Sequence, residues 1–508
     1  MDSKEGQVRN KSLSKRFWWI LLFVGLGIAT LIIASPGKKS SDKKQANSHS
    51  TLEDKFTASF LPKSGTAFKY NSPTIVDDKI YIGTSAKLPF DGNPAENFNN
   101  IKDNYFYKMD LDLNVVWEYE LSKTMVVGAA VLDDTRNIYF LTETFSLNNL
   151  VQSDDSDKKM PDKYSVYLTT LKLVSLTNDG KLRWQKIIGE ENEIWDHSML
   201  NISIGADNTL YFGHEKFYAY DINGNQKWQY PTDEKVIKRF TSAPIIDKSG
   251  DIYFVSPEPI SAENEWGTDV IKAYKFSPSG ALIWDTQIGN EPKIGEGPTE
   301  PGGARVGGED LQKSDTVTSI PAFGLNEQSI YAITGCTVSK LDTESGELLW
   351  FLLPEGATGS FQASPVVDSK DNLYIGTKSN MESTLFAISG AGKQIWKNVI
   401  GADLYSSPLL GDDGKVYVGS EGTEKGHYHA LDSLTGEYIF GTGVNISDFS
   451  LGSAALYKGY AYIGVHENAK EVPKTLFKIK LDANGYEQGS PWPRFHGGNQ
   501  NIGRTEND

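Results

Sequence analysis

The sequence holds a single cysteine, Cys336, among 508 residues. No intrachain disulfide can form, so the chain must hold itself together by burying a core, which its length allows. The scarcity also removes a Cys-x-x-Cys-His haem attachment, and with it an internal electron acceptor. Basic charge is in deficit. Fifty Lys and Arg stand against 66 Asp and Glu, a formal net charge of −16. Residues 1–50 run the other way, with nine basic and three acidic side chains, which leaves the remainder near −22. Such a surface repels phosphate backbones and argues against nucleic acid as a partner. Its plainest role is to keep a large exported domain soluble. No nucleophile elbow and no glycine-rich phosphate loop is present.

What the sequence has instead is a repeat. Residues 406–440, SSPLLGDDGKVYVGSEGTEKGHYHALDSLTGEYIF, read as three short strands. Leu409-Leu410 leads into the Asp413-Gly414 turn, Lys415 to Gly419 alternates as a half-buried strand does, and Tyr428 to Asp432 ends at Thr435-Gly436. The same order recurs at Ser364-Pro365, Tyr374, Gly392 and Trp396; at Ser242, Tyr253, Gly280 and Trp284; and at Ile320-Pro321, Tyr331, Gly346 and Trp350. Weaker copies carry Tyr81 and Trp117, Tyr139 and Trp184, and Tyr211 and Trp228, and a last copy carries Tyr462 and Gly485. Aligned on the second-strand tyrosine, eight copies centre on residues 81, 139, 211, 253, 331, 374, 417 and 462. The tightest spacing, about forty residues, is the length of one four-stranded propeller blade.

A blade that is apolar on both faces cannot bury them alone, and closing a ring gives every blade two neighbours while protecting its edges. An array of β-sandwiches would not repeat a fixed Tyr–Gly–Trp order. The sequence therefore predicts an all-β, eight-bladed propeller of four-stranded antiparallel blades over residues 56–508, preceded by one transmembrane helix. Trp117, Trp184, Trp228, Trp284, Trp350 and Trp396 read as wedges between blades, where an indole buries a large area and its N–H can reach a carbonyl. Phe440 takes that place in the seventh copy and lacks the donor.

The segments Ala430-Leu431-Asp432-x-x-Thr435-Gly436 and Leu341-Asp342-Thr343-x-x-Gly346-x-x-x-Trp350 resemble the tryptophan-docking repeat of pyrroloquinoline-quinone-type propellers. The Ser-Ser-Pro and Tyr-Val-Gly strands fit the same family. So does the stretch Pro491-Trp492-Pro493-Arg494-Phe495-His496-Gly497-Gly498-Asn499, which looks like the Trp-Pro-x-Phe segment at an end of such chains. The resemblance covers nearly everything after about residue 68. It implies the fold and leaves activity open, because the family contains quinoprotein dehydrogenases and non-catalytic binding proteins.

One apolar run is long enough for a membrane. Residues 17–35, FWWILLFVGLGIATLIIAS, are uncharged and can span about 30 Å as a helix. Trp18 and Trp19 sit where an interfacial belt would lie, behind Lys11, Lys15 and Arg16. A cleaved signal peptide is the competing reading; its apolar core is normally shorter, and Ser35 before Pro36 is a poor cleavage site. No cysteine near the end of the run offers a lipid anchor. The expected organisation is a cytoplasmic tail (1–16), a signal-anchor (17–35), a flexible linker (36–55) and a periplasmic or extracellular propeller in a bacterial cell envelope.

Within a blade, the first and third turns open on one face of the ring, and the second connection and the link to the next blade open on the other. The first and third turns are short throughout, while residues 84–104, 142–165, 185–198, 256–268 and 285–316 all belong to the second face. Long insertions in compact domains tend to carry function. Here they mix acids with aromatics: Trp195, Asp196 and His197 in one, Glu265 and Trp266 in another, and a lone Arg305 in a Gly/Pro-rich third. Exposed Trp beside acids marks a protein-binding hot spot. Each Trp could equally pack its own loop, and stacking on a sugar is a third option.

Catalytic constellations are poor. In a quinoprotein dehydrogenase of this family the resemblance implies a quinone held against an adjacent Cys-Cys disulfide over a calcium ion, and Cys336 alone cannot form that ring. Asp110, Asp112 and Asn114 begin like a calcium loop, but the turn glycine is missing and Leu121 takes the twelfth place. His427 and His429 share one face of a strand without an evident third ligand. Asn201-Ile202-Ser203 fits a glycosylation pattern within strand-like sequence. Two functions remain: a non-catalytic, membrane-tethered propeller binding a protein or glycan, similar in repeat type to assembly lipoproteins of the outer-membrane β-barrel machinery, or a divergent quinoprotein oxidoreductase using pyrroloquinoline quinone and calcium. The first, without cofactor, is the expectation.

Overall fold

The computed structural model describes residues 56–505, apart from 69–70, 86–101, 148–166, 192–199, 238–241, 262–269, 289–318, 336, 358, 380–382, 402–403, 405, 421–427, 442–451 and 466–474. The described residues form eight antiparallel sheets. Seven are continuous in sequence, over residues 74–121, 124–191, 203–230, 245–287, 322–352, 360–399 and 409–441, and the eighth is built on 455–480. They are blades 1 to 8. Each has four strands, and blade 6 adds a short pairing strand, Ser360–Phe361.

Second and third strands are buried on both faces, as in Ile252–Pro257 and Ile271–Phe276 of blade 4, because each is sandwiched between neighbouring blades. The alternation expected of Lys415–Gly419 is accordingly absent: every residue after Lys415 is buried. Outermost strands such as Leu282–Gln287 alternate between half-buried and exposed positions.

The tryptophans lock the seams. Trp117, Trp184, Trp228, Trp284, Trp350 and Trp396 each donate Nε1–H to a carbonyl in the third turn of the next blade, at 2.9–3.2 Å. The turn glycine of that next blade lies against the indole. A Cβ on Gly280 would come within 2.7 Å of the Trp228 ring, and its φ of +86° is one an L side chain rarely adopts. The Phe440 side chain lies outside the described residues. A second chain of bonds follows the serines before the first strands. Ile320 donates to Ser364 Oγ, Ser364 to Ser407 Oγ, Ser407 to Ser453 Oγ and Ser453 to Ser72 Oγ, carrying the wall from blade 5 round to blade 1.

The ring is closed by its ends. Blade 8 takes its outermost strand from the start of the described chain: Phe56–Phe60 pairs antiparallel with Leu476–Lys480. This strand covers the outer edge of Leu476–Lys480 and ties the start of the described chain to its last blade. At the other terminus, residues 491–504 circle the axis along the innermost strands. Val367 (blade 6) donates its N–H to Trp492 O, Leu410 (blade 7) to Pro493 O, Ile75 (blade 1) to Asn499 O, Ile204 (blade 3) to Ile502 O and Ile246 (blade 4) to Gly503 O. Asn499 Nδ2 donates to Leu456 O of blade 8, and Trp492 meets Phe323 of blade 5 edge-on. These partners stand just before the first turns, so the segment plugs the tight-turn end of the central channel. Trp492, Arg494, His496 and Asn501 are all fully buried there.

Among the described residues no helix is long and apolar enough to cross a membrane, and residues 17–35 lie outside them.

Candidate functional site: two unlike faces

The tight-turn face is built from turns that satisfy themselves. Asp133 Oδ1 accepts the backbone N–H groups of Thr135 and Asn137, and Asp368 Oδ1 those of Lys370 and Asn372, so each aspartate shapes its own turn. The second-strand tyrosine by which the copies align then donates to the same carboxylate: Tyr139 to Asp133, Tyr253 to Asp247, Tyr374 to Asp368 and Tyr417 to Asp413, at 2.7–3.0 Å. Burial pushes these phenols up; it also raises Tyr81, which donates instead to Asn178 Oδ1, to about 12. For Asp133, burial opposes ionisation, but hydrogen bonds from Asn137, Tyr139 and Thr135 outweigh it and hold the carboxyl below its usual range. For Asp247 burial wins and raises it. The Asp110 turn is of the same kind. Its carboxylate accepts from Asp112 N, Asn114 N and Asn114 Nδ2, which makes it the third turn of blade 1 rather than a calcium loop.

The strands that flank the long connections end at the other face. Blade 2 reaches furthest towards it. Its second and third strands, Ile138–Leu147 and Tyr167–Leu176, pair over ten residues, and Leu182–Glu191 follows them, whereas second and third strands of the other blades run four to seven. Part of what the sequence presents as loop in 142–165 and 185–198 is therefore extended hairpin. Trp195, Asp196, His197, Glu265, Trp266 and Arg305 lie outside the described residues.

Other candidates have structural roles. His429 is buried, with Nε2 at 2.7 Å from Ser420 Oγ and Nδ1 at 3.2 Å from Tyr438 Oη, so both ring nitrogens are engaged; His427 and Cys336 lie outside the described residues. Asn201 is buried, and its Oδ1 accepts the Ala129 N–H from blade 2. Among the described residues no three His, Cys, Asp or Glu side chains are grouped to hold a metal.

The charged and ionisable residues of the plug are held by the fold. Arg494 is fully buried, and its guanidinium donates to Ala454 O, Gly498 O and Asn501 Oδ1 at 2.7–2.9 Å, with Pro73 O and Ser453 O at 3.4 Å. That donor set welds the plug to blades 8 and 1. His496 Nε2 lies 2.9 Å from Ser203 Oγ and 3.2 Å from Pro244 O; a carbonyl only accepts, so Nε2 carries the proton. Burial pushes its pKa down to about 4.

The family described as outer membrane protein assembly factor BamB matches residues 334–459, from the second strand of blade 5 to the first turn of blade 8. Residues 334–459 thus carry the pyrroloquinoline-quinone-like repeat, within a ring of eight four-stranded blades. Within this repeat propeller the matched stretch holds three of the six docking tryptophan–turn pairs in whole or part, at Trp350, Trp396 and Gly346. No curated protein sequence matches the chain. A solved structure described as the crystal structure of the eukaryotic initiation factor aligns at a TM-score of 0.39 with 8% identity, over 76% of this chain and 89% of that one, too distant to bear on fold or function.

Proposed function

We propose that the protein is a non-catalytic scaffold, a propeller tethered outside the cytoplasm by residues 17–35, which binds a protein partner through its long-loop face. The observation that carries this reading is the inequality of the two faces. One end of the ring is sealed by the plug and its turns are hydrogen-bonded to themselves, while the extended hairpin of blade 2 and the strand ends that flank the long connections lie at the other. Phe56 pairs near the third-turn end of Leu476–Lys480, so the described chain enters the ring at the tight-turn end. The family match to an assembly factor favours a protein over a glycan as partner.

The test is capture by the full-length protein in which Trp195 or Trp266 is replaced by alanine, with thermal melts alongside. A hot-spot Trp is worth about 2 kcal/mol, on the order of thirtyfold in affinity. Weakened capture with an unchanged melt supports the binding face. An early melt with capture intact once folded returns both residues to loop packing. Recovery from native cells of a mature chain beginning near Pro36 would remove the tether.

A further inference from the structure

Four Asn-Gly or Asp-Gly pairs stand among the described residues: Asp179-Gly180, Asn223-Gly224, Asp413-Gly414 and Asn484-Gly485. An asparagine or aspartate side chain can close on the backbone nitrogen of the next residue, and glycine leaves that nitrogen least hindered. The fold locks three of the four. Gly180 donates its N–H to Thr177 O, Gly224 to Asp221 O and Gly414 to Gly411 O, at 3.0–3.2 Å. These glycines hold φ of +83°, +79° and +75° in tight turns between consecutive strands of one blade. Each nitrogen is turned inwards, with its proton already given to the turn.

Asn484-Gly485 is built differently. Gly485 is not left-handed, and among the described residues its N–H has no acceptor. The cause lies in how the ring closes. No fourth strand follows Leu476–Lys480, because Phe56–Phe60 takes that place, and the chain crosses instead to the plug. Asn484 is exposed, and its carbonyl accepts the Gly459 N–H at 2.9 Å, which polarises the peptide and makes its nitrogen more acidic. Beyond the adjacent residues, a Cβ on Gly485 would have Asp412 Oδ2 at 4.0 Å as its nearest neighbour. On Gly224 it would lie 3.0 Å from Lys186 Cε and 3.1 Å from the Trp184 ring.

We propose that Asn484 is a site of spontaneous covalent modification, its amide converting to an isoaspartyl or aspartyl acid through a succinimide. The Gly485 nitrogen gives up its proton and bonds to Asn484 Cγ; the Cγ–Nδ2 bond breaks, and ammonia leaves with that proton. Water then opens the ring at either carbonyl. Opening at the main-chain carbonyl leaves isoaspartate, whose backbone runs through the side chain and is longer by a methylene. Nothing is oxidised or reduced, and water is the sole co-reactant. Asn484 N–H donates to Asp412 Oδ1, Asp412 N–H to Gly485 O and Glu487 N–H to Leu410 O, tying this crossing to blade 7. An added methylene cannot keep all three bonds in register, so conversion loosens blade 8 from blade 7. Asn484 lies at the end of the ring opposite the loop face, so its chemistry is independent of the proposed scaffold function.

The experiment ages the folded full-length protein in mildly alkaline buffer, beside a sample kept unfolded in urea, and maps both by peptide mass spectrometry. Unfolded, Asn223 and Asn484 should convert at similar rates. Folded, Asn484 should convert about tenfold faster than Asn223 or more, since only Asn223 must first break a turn hydrogen bond. Gly485→Ala should slow conversion while leaving the fresh protein's melt unchanged, because its Cβ enters open space. The aged parent should then melt earlier than the aged Gly485→Ala protein. An Asn484 amide that survives in the folded protein, or an Asn223 that converts as fast, overturns the proposal. Converted protein that melts with the fresh protein overturns the effect on the seam.

Discussion

The indole Nε1 of Trp350 donates to the backbone carbonyl of Gly390 at 3.0 Å, across the seam between blades 5 and 6. Gly392, two residues on, lies under the same ring at a φ of +77°. Donor, ring and glycine form one joint, and each part can be removed separately. Trp350→Phe keeps a ring and loses the hydrogen bond, an expected cost of about 1 kcal/mol. Trp350→Ala also loses the buried ring area and should cost about 3 kcal/mol. Gly392→Ala places a Cβ 2.8 Å from Trp350 Cδ2, so it should destabilise by more than the roughly 1 kcal/mol that a left-handed backbone alone costs. Urea unfolding of the three variants gives the order.

The plug makes a second prediction. Arg494→Leu would leave the carbonyls of Ala454 and Gly498 without their guanidinium donors inside the ring. Each orphaned buried acceptor costs about 1–3 kcal/mol, so a loss on the order of 3 kcal/mol is expected. Thermal melts should separate it sharply from Arg504→Gln, at the half-exposed end of the same segment.

His496 makes stability depend on pH. Its folded pKa is depressed to about 4 from 6.5 by burial, so between those values the unfolded chain holds the extra proton. The contribution of the neutral imidazole is complete above pH 6.5 and is lost as pH falls towards 4. The lowered pKa is worth about 3 kcal/mol in full. In urea melts at pH 7.5 and pH 5, His496→Gln should lose less stability on acidification than the parent protein does. An equal loss in both places the pH dependence in the carboxylates.

The repeat was legible because its markers recur: the second-strand tyrosine, the turn glycine and the tryptophan each sit at a seam, and the carbonyl expected for the indole N–H is found at all six. Closure was not legible. Phe-Thr-Ala-Ser-Phe, residues 56–60, carries none of those markers, and its partner strand lies at the far end of the chain. The Trp-Pro-x-Phe segment was visible as a terminal motif, but an irregular strand that takes one or two bonds from each of several blades leaves no period to read. Lys415–Gly419 reads as half-buried from its side chains and is buried because a second blade covers it. Asn484-Gly485 reads like the three locked pairs, because what opens it is a strand supplied from the far end of the chain.

Closure by the first strand is testable by truncation. A chain starting at Leu61 lacks the strand Phe56–Phe60 and uncovers the edge of Leu476–Lys480. It should melt earlier and self-associate through that edge, read by size-exclusion chromatography. A monomer with the parent melt would show that the ring does not need the strand.

The claim that function belongs to the long-loop face is tested most directly by site-specific photo-crosslinking in intact cells. Positions 195 and 266 fall in connections whose flanking strands end at the loop face, and Lys370 and Lys393 stand in tight turns at the other end. A discrete protein adduct from 195 and 266, with none from 370 and 393, is the predicted result. Adducts from 370 and 393 with none from 195 and 266 would contradict it.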